Sequence, residues 1–307
     1  MQGVLAGFVT LGAIIGLGFL LAHLGVLRSD SQLLLSRLVF FVATPALLFK
    51  TLSTAPVDQI LTAGLLVAAL SFVGAAGVYV LLARTVWHRS TGDTVLGALS
   101  SAYVNAANLG LPITVYVLGS ASFVAPVLLM QLLVITPLAF VILDAVVSRR
   151  RPSILGIMSQ PLRNPITVGS FLGLLCSLTR WQVPALVAAP IGLIAGMAVP
   201  GVLLAYGVSL RLGPRPIAGG SVVELTVVCA LKLMVQPVLA YAAARWLFDL
   251  EGRALLAATV VAALPTAQNI FVYASRYNRS TTLARDSIFV TTALSVPVLL
   301  TITALLA

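Results

Sequence analysis

The sequence predicts an all-α polytopic membrane protein: ten transmembrane helices in a five-plus-five inverted repeat, with helices 4 and 9 broken where they cross. Three observations predict it. Of 307 residues, 60% are hydrophobic and 8% charged, with a mean hydropathy of +1.10, whereas roughly 25% are charged in an ordinary soluble domain. The apolar residues fall into ten runs near the length of about 20 residues that a bilayer crossing needs. Prolines and glycines recur at matching places in the two halves.

The runs lie at 3–25, 33–54, 58–83, 94–118, 121–147, 164–180, 187–210, 221–248, 254–275 and 283–306. The first follows Met1-Gln2 with no basic segment and is too long for a signal h-region, so it reads as a retained span. Spans 1 and 6 carry Gly12-xxx-Gly16 and Gly169-xxx-Gly173, which suit close helix packing. Pro45 in span 2 and Pro200 in span 7 are expected to support helix breaks. Span 3 has no acidic residue, and Cys176 and Cys229 read as small buried hydrophobes in spans 6 and 8.

The loops after spans 1, 3, 5, 7 and 9, with their flanks, hold Arg28, Arg37, Arg84, Arg89, Arg149, Arg150, Arg151, Arg163, Arg211, Arg215, Arg276, Arg279 and Arg285. The other side has Lys50, Arg180, Arg245 and Arg253. This bias of 13 to 4 places the odd-numbered loops in the cytoplasm and both termini outside an inner (plasma) membrane. The net charge of +10 is scattered between apolar runs, which speaks against nucleic acid. The longest basic segment, 148–163, reads as a topology anchor and divides the chain into repeats 1–152 and 153–307.

Four features recur in order: Gly12/Gly169, Pro45/Pro200, Pro112/Pro265 and Pro137/Pro297, at offsets of 157, 155, 153 and 160. Five spans per copy is an odd number, so the second copy enters the membrane from the opposite side. Interruptions at membrane depth are tolerated where they are buried in protein or line a wet cavity. Span 4 carries Asn105, Asn108, Gly110 and Pro112, and span 9 carries Pro265, Gln268 and Asn269. Corresponding broken spans point to a midplane binding site. Each break opens a helix N-terminus with positive potential, so the expected ligand is an anion.

At these residues the sequence resembles the auxin efflux carrier family, in its bacterial type, over nearly the whole chain. The resemblance is carried by "LVFFVATPALLFKTLS" in span 2, "NAANLGLPITVYVLG" in span 4, "LLAYGVSL" in span 7 and "LPTAQNIFVYASRYN" in span 9. It implies a fold like the sodium/proton antiporters and bile-acid transporters, elevator-type transport of auxin-like or mono- and dicarboxylic acids such as malate or malonate, and a crossing of helices 4 and 9. Asn105 and Pro112 match the family's substrate-side asparagine and crossover proline, and Pro265 matches the second crossover proline. Asn108, Gln268 and Asn269 are candidates by position alone. The acidic residue of span 3 in plant members is absent, which weakens a carboxylate-based proton step.

Lys232 is the one basic residue deep in a span, and a lysine there needs a cavity or a partner. Carbonyls at a helix break and compensation of an anion's charge are both open readings. Lys50 reads as an interfacial anchor. Nothing implies a metal or an organic cofactor, and proton and sodium coupling stay open. His23 and His88 lie outside any catalytic motif, so the chain is not read as an enzyme. The expected function is a secondary active or facilitative carrier of small organic anions. A sodium-coupled bile-acid-type carrier and an anion channel are the alternatives. Its partners are the anion, the lipid bilayer and, as a candidate, a second copy.

Overall fold

The computed structural model describes residues 2–54, 62–110, 113–114, 118, 123–148, 165–212 and 220–306. Its helices are α1 (Gln2–His23), α2 (Ser29–Ser53), α3 (Ala63–Thr85), α4 (Thr91–Ala102), α5 (Pro126–Val146), α6 (Pro165–Leu178), α7 (Ala185–Leu212), α8 (Val222–Leu247), α9 (Gly252–Ala262), α10 (Asn269–Tyr277) and α11 (Thr281–Leu306). Among the described residues there is no strand, and the one extended pairing is a β-bridge between Val104 and Thr266. Helices α2, α3, α5, α7, α8 and α11, of 21 to 28 residues, are long and apolar enough to cross a membrane. Helices α1, α6 and α9 contain shorter apolar stretches. Their outward surfaces are greasy: Leu186 is 91% and Leu193 82% exposed, as suits side chains whose solvent is lipid.

Several prolines act through the turn before them. A proline supplies no N–H and its ring presses on the carbonyl four residues back, so the preceding turn must widen or kink. Widened π turns at Val39–Ala43, Gln131–Ile135 and Leu231–Val235 each precede a proline, namely Pro45, Pro137 and Pro237. Pro200 acts likewise: α7 breaks at Met197 and resumes at Ala198.

Glycines set the closest helix contacts. Helix α6 lies on α2 with Gly169 against the Pro45 backbone and Gly173 against that of Phe49, where an added Cβ would fall 2.5 and 2.7 Å from carbonyl oxygens. Helix α1 meets α7 through Gly18 and Gly207 in the same way. The expected pair Gly12 and Gly16 is not that contact, since a Cβ at either meets nothing within 4 Å. The small-residue signal marked the right helix but the wrong face.

Cys176 and Cys229 are buried free thiols, as expected. A polar clasp ties together the helix ends beyond α3. Glu224 at the start of α8 is buried and accepts from the Tyr79 hydroxyl at 2.7 Å and from Arg89. Asp93 caps α4 with Ser90 and accepts from Ser280 at 2.9 Å, with Arg279 beside it. Burial works against its charge, but the two hydroxyls and Arg279 outweigh it and hold the Asp93 carboxyl below its usual value. Arg285, counted above as a loop cation, is buried inside α11 and donates to Asp286 at 2.6 and 2.8 Å. Its position near a helix start hid this burial from the sequence.

Candidate functional site

Two helices stop short at the centre of the molecule. Helix α4 ends at Ala102, and the chain runs extended through Tyr103 to Asn105 before a π turn forms at Ala106–Gly110. Helix α9 ends at Ala262, and α10 begins at Asn269. The extended links cross as antiparallel partners: the Asn105 N–H donates to the Pro265 carbonyl at 2.8 Å, and the Ala267 N–H donates to the Tyr103 carbonyl at 3.0 Å. Backbone groups freed by the two breaks thus satisfy each other, as burial demands.

Side chains complete the accounting. The Gln131 amide of α5 donates to the Val104 carbonyl at 2.9 Å, and Thr291 of α11 accepts from the Thr266 N–H at 3.1 Å. The Thr266 hydroxyl donates to the Ser100 carbonyl at 2.6 Å. Lys232 has no exposed surface; its Nζ donates to the Ala262 carbonyl at 2.9 Å and to Gln236 Oε1 at 2.6 Å. Gln236 passes the link on, donating to the Ala102 carbonyl at 2.9 Å. One lysine and one glutamine therefore hold the last carbonyls of both half-helices, where a cation is favoured.

The opposite poles face a cavity of about 100 Å³, room for several waters or a small acid. It is walled at the crossing by Asn105, Gln131, Gln268 and Asn269, and farther out by Ser36 of α2 and by Tyr206 and Ser209 of α7. Among the described residues, none lining it carries a charge. Asn105 precedes the first turn of one half-helix, and Gln268 precedes the first residue of the other. The N–H groups of Ala106, Ile270 and Phe271 already bond locally, to the Val104, Ala267 and Gln268 carbonyls, so what both helix starts present to the cavity is chiefly positive potential.

The structure sorts the residues expected from the sequence. Asn105, Gln268 and Asn269 line the cavity; Asn269 also donates to the Tyr273 hydroxyl at 2.9 Å. Gly110 lies behind it, where a Cβ would come within 2.7 Å of Val124 and 3.0 Å of Leu264, so its role is close packing. Pro265 acts through its carbonyl in the bridge. Pro112 and the side chain of Asn108 lie outside the described residues. Lys232 sits behind the crossing and does not line the cavity. The break itself falls at Tyr103–Asn105, ahead of the glycine and proline expected to cause it, and the bridge sets Pro265 against Asn105.

Sequence reasoning missed Gln131, Gln236, Thr291 and Tyr206. The two glutamines were findable, because an amide deep in an apolar run needs partners just as a charge does. The threonine and tyrosine carried no such signal.

Comparison with known proteins places this arrangement in a family. The profile of the "Membrane transport protein" family matches residues 4–150 and 151–303. A Rhizobium meliloti protein named "Putative malonate transporter" is 26% identical over 289 residues, covering 92% of this chain and 89% of its own. An "Uncharacterized transporter" of Methanothermobacter thermautotrophicus is 27% identical over 286 residues, covering 91% and 90%. A rice protein, "Probable auxin efflux carrier component 1b", is 35% identical over 121 residues, 38% of this chain and 22% of its own. The chain belongs to the membrane transport protein family of auxin efflux carriers, and it is a multi-pass membrane transporter rather than an enzyme.

Proposed function

We propose that the protein carries small organic anions, mono- or dicarboxylates of about the size of malonate, by elevator-type alternating access. The observation that carries this reading is the polarity of the crossing. Both helix C-terminal poles are held by the Lys232–Gln236 pair, while both N-terminal poles look into a cavity with no charged wall residue among those described. Such a cavity favours an anion without requiring a buried arginine or lysine to be desolvated each time it empties.

The reading includes ten spans in two inverted repeats, 1–152 and 153–307, with α9 and α10 as the broken span 9. Three pseudo-symmetric pairs support it. The bridge relates 103–105 to 265–267; Gln131 and Thr291, 160 residues apart, both brace the crossing; α1 packs on α7 as α6 packs on α2. In this scheme α1, α2, α6 and α7 form the scaffold, and the cavity lies between α2, α7 and the crossing. Its outer wall, Ser36 and Ser209, lies toward the basic loops, so this conformation faces the cytoplasm of an inner membrane with both termini outside.

Counterflow in proteoliposomes tests the proposal. Vesicles loaded with unlabelled malonate are expected to accelerate uptake of labelled malonate severalfold, with saturation. Flux that neither saturates nor responds to internal substrate identifies a channel and overturns the carrier reading.

A further inference from the structure

A second built feature lies far from the crossing, where α2 and α6 end beside the start of α7. A groove of about 1060 Å³ is lined there by Lys50, Arg180, Trp181, Ser53 and Thr54. Among the described residues neither cation belongs to an ion pair. Phe49 and Ile191 are shared with an adjoining groove of about 650 Å³ whose other walls include Phe41, Pro45, Val168 and Leu172, with no charged residue among those described. Phe41 to Phe49 spans about 12 Å of helix, so a cationic, hydroxyl-rich head opens onto an apolar channel of that length.

The backbone at the head is also unusual. Helix α6 ends in a double turn, with the Trp181 N–H on the Cys176 carbonyl at 2.9 Å and the Arg180 N–H on the Ser177 carbonyl at 3.1 Å. Its left-handed position, φ +53°, is held by Arg180, where glycine is the relaxed choice. The guanidinium is thus kept at the rim at some conformational cost. Lys50 reaches across from α2 to within 3.7 Å of the Cβ position of Gly192 on α7. Trp181, 56% exposed, has the amphipathic ring that favours a membrane interface.

We propose that this groove binds an anionic phospholipid, with its phosphate held by Lys50 and Arg180 and one acyl chain in the apolar channel. Charge complementarity selects the headgroup, and the continuous apolar floor selects a lipid over a soluble anion. The site lies at the molecular end opposite the basic loops, so its occupant comes from the other leaflet.

The test uses delipidated full-length protein in mild detergent, with added phosphatidylglycerol, phosphatidylcholine or inorganic phosphate. Phosphatidylglycerol is expected to raise the unfolding temperature by several degrees and to remain bound one-to-one in native mass spectrometry, while the other two do neither. The Lys50→Gln/Arg180→Gln double variant is expected to lose the shift. Arg180→Gly separates binding from folding: it relaxes the left-handed residue, so unfolding without lipid is unchanged or higher, while the shift shrinks. Equal shifts with phosphatidylcholine, a shift with phosphate alone, or a full shift in the double variant would each overturn the proposal. So would a dimer that Leu172→Arg dissociates and that phosphatidylglycerol does not affect, since a second copy would then fill the groove.

Discussion

Replacing Lys232 with methionine is expected to lower the unfolding temperature by on the order of 10 °C and to abolish transport. The side chain is fully buried and makes two hydrogen bonds, to the Ala262 carbonyl and to Gln236. Removing one partner of a buried hydrogen bond costs about 1–3 kcal/mol for the group left unpaired, here two acceptors. The total, about 4 kcal/mol, corresponds to a shift of that order in a chain of this size. The Ala262 carbonyl would then end a helix in an apolar interior with no donor. Gln236→Met releases the Ala102 carbonyl and also removes the Oε1 that accepts from Lys232 Nζ, so it is expected to cost a comparable amount. Thermal unfolding in detergent with parallel uptake assays checks both. A fully stable Lys232→Met protein would remove this lysine from the account of how the crossing is held.

The second large effect is electrostatic. Asn105→Asp changes one atom type at the cavity wall and keeps the backbone N–H that donates to Pro265. Two like charges about 4 Å apart at an effective dielectric of about 20 repel by about 4 kcal/mol, so anion affinity is expected to fall about 1000-fold. Asn105→Ala, which adds no charge, is expected to weaken transport far less while leaving the protein folded and inserted. Uptake kinetics for the pair separate the readings: equal losses would mean that the asparagine serves shape alone, and no loss in the aspartate variant would move the anion elsewhere.

Much of this was legible because a bilayer imposes crude rules. Long apolar runs, proline-linked distortions and the bias of basic loops follow from local sequence. The crossing was legible as a region but not as a geometry. Its break falls at Tyr103–Asn105, where no glycine or proline marks it, because what stabilises the open backbone comes from Pro265, Gln131 and Gln236, residues 27 to 160 positions from the groups they bond. Lys232 showed the same limit: the sequence placed a cation in apolar surroundings but could not say that it faced two helix ends instead of the cavity. Arg285 looked like a topology anchor because it lies near a helix start, and its pairing with Asp286 inside α11 depends on packing that a charge count does not sense. The glycines of α1 failed for a related reason, since Gly18 rather than Gly12 or Gly16 meets α7.

The proposed selection of negative charge rests on two helix N-termini and a wall without charge among the described residues. It is tested most directly by thermal stabilisation of the purified protein with matched ligands, each short mono- or dicarboxylic acid beside its amide, malonate beside malonamide among them. A ligand that binds the folded state raises the unfolding temperature by mass action. At least one acid is expected to produce a saturable shift that its amide of nearly equal size does not, and Asn105→Asp is expected to abolish the shift. Equal stabilisation by acid and amide, or a shift that survives Asn105→Asp, would contradict the proposal.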